Sequence, residues 1–248
     1  MGNHERSNRS TLRGKRVVLL GGTSGVGFAA AEAAAKEEAS VVVASSRKER
    51  VDHAVSRLPQ GAEGHVVDLS NETEVRAFFS HIGEFDHLVF SAGEPLQFES
   101  LNEINIDAAR RLYDLRYWGA LMAAKYGSPN MRTGGSITLV SGVAGTRPPK
   151  GLIVPSSICG AVEALTRALA IELRPIRVNA VAFGLMRTEM YNGIPEEDRN
   201  AMYKAIGDSL PVGHVGEPED AAEAFLYLMR EQYSTGQVII VDGGSTLV

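Results

Sequence analysis

The sequence predicts an α/β protein: a single-domain, doubly wound sheet of seven parallel strands with helices on both faces. Three observations predict it. Seven short runs rich in β-branched residues are continuous in apolarity rather than alternating, as strands covered on both faces require. Segments of helical period lie between them, so strand and helix take turns along the chain. No repeat, low-complexity tract or linker divides the 248 residues, a length that one core can serve.

The strands are predicted at 17–20, 41–44, 65–67, 88–90, 137–140, 178–182 and 238–241. The intervening helices are predicted at 25–38, 47–58, 72–81, 108–126, 156–173 and 219–230. Residues 1–13 carry Arg6, Arg9 and Arg13 without an apolar stretch and read as a flexible polar tail, not a secretory signal, ahead of a domain spanning 14–248. Two stretches fall outside the alternation. Residues 146–151 form a Pro-rich loop, and 188–215 form a polar insertion of about one helix that reads either as a lid or as a plain excursion. Ligands of such sheets sit beyond the carboxyl ends of the strands, and both stretches follow a strand.

Composition narrows the function classes. With 44% apolar and 22% charged residues the chain is ordinary globular protein. A net charge of -5 offers no footprint for nucleic acid, and no run of 18 apolar residues is present to span a membrane. The lone Cys159 fits a reducing, cytoplasmic setting, and the six histidines lack metal-ligand spacing. The expected partner is a small molecule.

The first strand runs into Gly21, Gly22, Thr23, Ser24, Gly25, Val26 and Gly27 and then an Ala-rich helix. Glycines there provide a tight turn and an open backbone, and the helix N-terminus presents free N–H groups to a pyrophosphate. The spacing is G-x-x-x-G-x-G rather than G-x-G-x-x-G. After the second strand, Ser46, Arg47 and Lys48 stand where a carboxylate would bind a ribose hydroxyl. Cations there suit a 2′-phosphate, so NADP (NADPH) is favoured over NAD, unless Arg47 merely opens a solvated helix. Asp68 and Leu69 follow the third strand; Asp68 reads either as an adenine contact or as the N-cap of the next helix.

With the later motifs, these residues resemble the short-chain dehydrogenase/reductase family over residues 15–248. Ser91-Ala92-Gly93 looks like the N-A-G signature, with Ser for Asn. Arg177-Val178-Asn179-Ala180-Val181 with Phe183-Gly184 and Thr188 looks like R-V-N-x-V-x-P-G-x-x-x-T, with Phe for Pro. Gly216 to Asp220 and Thr235 to Gly244 match the closing segment. The resemblance implies a seven-stranded Rossmann sheet, a nicotinamide cofactor and a homo-oligomer (dimer or tetramer). It also implies a carboxamide or phosphate contact from Thr188 beside Gly184, and an adenine contact from Asp68.

The family's Ser, Tyr, Lys and Asn are missing. Anchoring on Gly160 to Leu165 puts Cys159 at the Lys position and Pro155 at the Tyr position. Gly142 then falls at the Ser position and Arg116 at the Asn position. None of the seven tyrosines has Lys four residues on, and slipping Ser141 by one place would turn it to the other face of its strand. Positioned acid–base catalysis is worth ~10²–10⁴-fold and an oxyanion donor about 10²–10³-fold, so ordinary carbonyl reduction is expected to be slow. Substitute groups are Arg116, as anion binder or structural ion pair, and Cys159, as a first-turn thiol of lowered pKa or a small core residue. Glu94 could be a desolvated acid or a solvated loop carboxylate, and His214 lies near the possible lid. The sequence therefore predicts a divergent oxidoreductase for substrates needing little help with a proton, such as an iminium or an activated C=C. The alternatives are a catalytically silent dinucleotide-binding subunit or sensor and a non-redox enzyme built on Arg116.

Overall fold

The computed structural model describes residues 11–96 and 98–248. β1 (Arg16–Leu20) lies between β2 (Ser40–Ser45) and β4 (Phe85–Phe90), parallel to both. β3 (Glu63–Val66) pairs outside β2. On the other side follow β5 (Met131–Gly142), β6 (Arg177–Phe183) and β7 (Val238–Val241), giving the order β3-β2-β1-β4-β5-β6-β7 with every pairing parallel. Strand order reverses between β1 and β4, where Leu20 sits opposite Phe90, so the chain leaves both strands beside one crevice.

The two faces of the sheet build separate cores. Val18, Leu20, Val42, Leu88, Phe90 and Ile137 point to one, and Val17, Leu19, Val41, Val43, Val89 and Val181 to the other. The first is covered by α3 (Glu72–His81), α5 (Gly119–Gly127) and α6 (Ile153–Glu172). The second is covered by α1 (Gly25–Lys36), α2 (Lys48–Arg57) and α8 (Pro218–Arg230). The small side chains of Ala30, Ala31 and Ala34 let α1 pack tightly into its layer. α6 has the length and apolarity to cross a bilayer, but Ile158, Val162, Leu165 and Leu169 spend one of its faces on the core.

The seven strands and their two-sided burial match the sequence expectation in the centre of the sheet and fail at its edges. β3 begins at Glu63 rather than 65, and Val66 is 54% exposed. β7 is likewise only partly covered. An edge strand has one neighbour, so short apolar runs there do not imply burial on both faces.

The expected helix 108–126 is three pieces: α4 (Ile106–Tyr113), a π-helical turn (Asp114–Trp118) and α5. α6 begins three residues earlier than expected, so Pro155 lies in its first turn, where proline's missing N–H costs no hydrogen bond. The insertion 188–215 holds a short turn (Glu189–Tyr191) and α7 (Glu196–Ser209). Of the expected tail, 1–10 lie outside the described residues. Leu12, though, is buried at 1% exposure and donates its N–H to Glu37 Oε2 at 3.1 Å. The ordered chain therefore includes part of 11–13, because an apolar side chain there reaches the core.

Candidate functional site

The β1–α1 turn is closed by backbone. Gly21 N–H donates to the Ala44 carbonyl (2.9 Å) and has φ of +87°, the left-handed region. A Cβ on Gly21 would lie 2.5 Å from the Ala92 nitrogen, and one on Gly27 would lie 2.3 Å from Ser91 Oγ and 2.5 Å from the Gly21 carbonyl oxygen. Ser91-Ala92-Gly93 is thus packed directly on the glycine turn, and Ser91 N–H donates to Leu20 O at 2.8 Å. Ser24, the α1 N-cap, makes no side-chain cap, and the first turn of α1 carries no acidic residue. The first-turn donors of Gly25, Val26 and Gly27 therefore lack an intrahelical acceptor and form an anion site, bordered by the Glu189 carboxylate, whose Oε2 lies 3.4 Å from where a Gly25 Cβ would be. Thr23 is buried beside them.

The rest of the expected cofactor set is placed along the same edge. Thr188 carbon atoms lie 3.4 Å from where a Gly25 Cβ would be, so the segment after β6 arches over the α1 N-terminus. Ser46 and Arg47 are exposed at the carboxyl end of β2, with Arg47 as the N-cap of α2 and no hydrogen-bond partner for its guanidinium among the described residues. Lys48 is occupied by Asp52 at 2.8 Å. Asp68 is exposed and accepts from Ser70 N–H and Oγ (2.9 and 2.6 Å). The N-cap alternative for Asp68 is overturned: Asn71 caps α3, accepting from Thr73 and Glu74, and a cap must sit directly before its helix. Leu69 is buried, and its carbonyl would be 2.7 Å from a Cβ on Gly119, so that glycine lets α5 close on it. Gly184 is pressed against Asp242 behind β7, with its N–H on the Val241 carbonyl.

At the other end of the crevice, the positions that sequence spacing assigns to the family's relay converge. A Cβ on Gly142 would be 3.4 Å from Cys159 Sγ, and Pro155 stands one α6 turn earlier. Cys159 is not in the first turn of α6 but is its seventh residue, and burial pushes its thiol up rather than down, against Ser141, Arg116 and Gly142. The low-pKa reading of this thiol is thereby corrected: the hydrophobic surroundings outweigh the helix end. Ser141 faces away from the Gly142 side, donating to Glu163 Oε1 at 2.9 Å.

Arg116, in the π turn, lies against Gly93, where a Cβ would be 2.7 Å from Nη2. Nη2 donates to the Glu94 carbonyl at 2.8 Å, while Nε is 4.0 Å from Glu94 Oε2. That gap is too long for a hydrogen bond, and both Nε and Oε2 are buried without a partner among the described residues. Burial raises the Glu94 carboxyl above its ordinary range, with Arg116 and then Arg111 opposing. Glu94 thus lies between its two readings: Oε2 is buried while the side chain as a whole keeps 40% exposure.

Tyr191 also reaches this region, a placement that no spacing in the sequence signals. It lies within electrostatic reach of Arg116, and burial pushes its hydroxyl up to about 12. Met190 O accepts from Leu96 N–H at 3.2 Å, tying the segment after β6 to the one after β4. Ser156, next to Pro155, holds another buried hydroxyl without a partner. His214 does not join the group; its Nδ1 pairs with the Val215 carbonyl beside Gly207 of α7. A separate cavity of about 380 Å³ opens beyond Thr188, between α1, α7 and the start of α8. Its cations are already engaged: Arg57 with Glu32 and the Phe28 ring, Arg187 with Glu217 and the Tyr203 ring.

A doubly wound parallel sheet with a glycine-rich turn leading from its first strand into a helix defines the Rossmann class. Residues 21–246 match the family model described as enoyl-(acyl carrier protein) reductase. The short-chain dehydrogenase/reductase ATR9 of Stachybotrys chlorohalonatus is 39% identical over 96% of this chain and 99% of its own. Among solved structures, a small-chain dehydrogenase in complex with NADPH is 39% identical, covering 95% of this chain and 100% of its own at a TM-score of 0.85. The MalC reductase/Diels-Alderase of Malbranchea aurantiaca is 29% identical, covering 97% and 99% at 0.89. The chain belongs to the short-chain dehydrogenase/reductase family.

Proposed function

We propose that the chain is an NADP(H)-dependent oxidoreductase whose substrate takes hydride without the family's Ser-Tyr-Lys relay. An iminium ion or a C=C conjugated to a carbonyl fits, because neither reduction places full alkoxide charge on an isolated oxygen. The observation that carries this reading is the contrast at one crevice between an intact glycine cradle and a reaction centre of Gly142, Pro155, Cys159 and Arg116. When bound, the nicotinamide would supply the hydride. The first-turn N–H groups of α1 would hold the pyrophosphate, Arg47 the 2′-phosphate, and Asp68 the adenine. Ser91, Ala92 and Gly93 would line the nicotinamide ribose, under Thr188.

Two neighbours lend support. One 39% identical structure holds NADPH, and MalC is named both reductase and Diels-Alderase, so a chain of this shape serves more than carbonyl reduction. The substrate class is a small molecule able to enter between the segments after β4 and β6.

Titration of NADPH and NADH by fluorescence or calorimetry tests the first half. Binding of NADPH below ~1 mM, with NADH at least about tenfold weaker, is expected from one charge-assisted contact. A panel of ketones, cyclic iminium ions and enones tests the second. Ketone turnover at rates of about 10 s⁻¹, ordinary for enzymes, overturns the reading. NADPH binding with no turnover of any class favours the silent subunit.

A further inference from the structure

The geometry points to Glu94 as the residue that holds a proton at the reaction centre and delivers it to the substrate, with Arg116 positioned as counter-ion to the carboxylate left behind. This rests on the reductase reading and names the proton source that the reading leaves open.

Glu94 follows Gly93 directly, and the backbone of Ser91 and Ala92 packs on Gly21, so this side chain starts two residues from the glycine turn. Its main chain is held there by Arg116 Nη2 at 2.8 Å. Among the described residues its buried Oε2 has no partner, and Arg116 Nε, 4.0 Å away, has none either. Two buried polar atoms left facing each other at that distance would ordinarily close into an ion pair or accept a third group. Here the backbone clamp on Nη2 and the contact with Gly93 hold the guanidinium short of closing.

Arg116 and Arg111 are the cations facing Glu94, and Cys159 and Tyr191 face Arg116 in turn. Burial outweighs Arg116, the residue's own backbone N–H and Arg111, and moves the carboxyl above its usual range, the direction a proton donor needs. The competing donors are less suited. Tyr191 is pushed up to about 12, Cys159 is raised, and Ser141 is turned to Glu163.

Reduction of an enone by the dihydronicotinamide puts hydride on the β-carbon and an electron pair on the enolate. The Glu94 O–H bond breaks, its proton bonds to the enolate, and its electrons remain as the carboxylate. Arg116 Nε, already aimed at Oε2, stabilises that new charge without rearrangement. One solvent proton restores the acid. For an iminium substrate the reduced product is a neutral amine and no proton is needed, so dependence on Glu94 separates the two classes.

The test has a readout that does not need turnover. Infrared difference spectra of the full chain at pH 7, with and without NADPH, should show a protonated-carboxyl C=O band that is lost in Glu94→Gln and kept in Cys159→Ala. Absence of that band in the wild type overturns the proposal. In the second arm, 2-cyclohexenone and a cyclic iminium ion are the probes. Glu94→Gln should lower kcat for the enone ~10²–10⁴-fold with the NADPH Kd within about twofold, should abolish the alkaline limb of the pH profile, where the donor loses its proton, and should spare the iminium ion. Glu94→Asp should recover part of the loss. An unchanged enone profile in Glu94→Gln, or a wild type that binds NADPH and turns over only the iminium ion, overturns the proposal and leaves the reductase reading intact. Failure to bind NADPH removes the reductase reading first, and delivery to a reduced substrate with it.

Discussion

The two ends of the crevice obey opposite rules. At the β1–α1 end there is no room for a side chain. A Cβ on Gly21 or Gly27 would meet backbone within 2.5 Å. At the end built by β5, α6 and the π turn there is room, because Gly142 would accept a Cβ at ordinary contact distance from Cys159. Polar atoms there are left over: Glu94 Oε2, Arg116 Nε and Ser156 Oγ. Steric need ties the first end to its glycines whatever reaction is run, whereas the second end is free to change its chemistry without disturbing the sheet. Under the proposed reading, this is how a chain keeps the family's fold over almost its whole length while its proton relay is replaced.

The largest expected effect comes from breaking the crowded end. Gly21→Ala combines a left-handed φ, costing roughly 1–2 kcal/mol, with overpacking worth about 1–3 kcal/mol. A loss of about 3 kcal/mol is expected, which thermal denaturation should read as roughly 6–12 °C at about 2–4 °C per kcal/mol. Next is Arg47→Ala. Removing a charge-assisted contact of about 1.5–3 kcal/mol should weaken NADPH roughly tenfold or more and leave NADH nearly unchanged; equal losses by calorimetry would remove the 2′-phosphate assignment.

A smaller effect is the pH dependence of stability contributed by Glu94. Its carboxyl is raised in the folded state, so the native chain binds more protons than the unfolded one above the ordinary carboxyl range. The contribution is therefore fully present below that range and is lost as pH rises through the raised value. Wild type should lose melting temperature relative to Glu94→Gln as pH rises above the ordinary carboxyl range. The comparison with the variant matters because His87, buried within the central strand β4 with its pKa lowered to about 4, slopes the other way. It costs stability as pH falls from its ordinary 6.5, since the unfolded chain takes up the proton first. Smallest of all is Gly142→Ser at the roomy end, expected to change stability by less than about 1 kcal/mol. A large loss there would erase the contrast between the two ends.

Much of the first end is legible in the sequence, because steric demands write themselves into residue type. Glycines at 21, 25 and 27 directly behind a buried strand signal a close approach of backbone, and the structure sets them against Ser91 to Gly93 and Thr188. The central strands are equally readable, since a strand covered on both faces must be continuously apolar. The edges are not: β3 is mostly exposed, so its bounds carry no hydrophobic signal.

At the second end the departures from the family pattern can be counted from spacing, and Arg116 and Glu94 can be named as candidates. Their mutual geometry cannot, because it depends on how a loop and a helix from different strands meet. Tyr191 is invisible for the same reason: it arrives beside Arg116 through the segment after β6, far from any tyrosine motif. For the thiol of Cys159 sequence leaves two readings open, and the structure favours the core residue, because helix position is a local property while burial is set by the whole fold.

The π turn that carries Arg116 closes with Gly119 N–H reaching back to Asp114 O, five residues instead of the usual four. Deleting one residue between 114 and 118 would let the flanking helices join with regular winding and would remove the widened turn that holds the guanidinium against Gly93. Length variation in this helix is therefore an evolutionary lever separate from substitution. A single-codon loss would discharge the crevice in one event, and a single-codon gain in a regular helix would bring a new side chain into it.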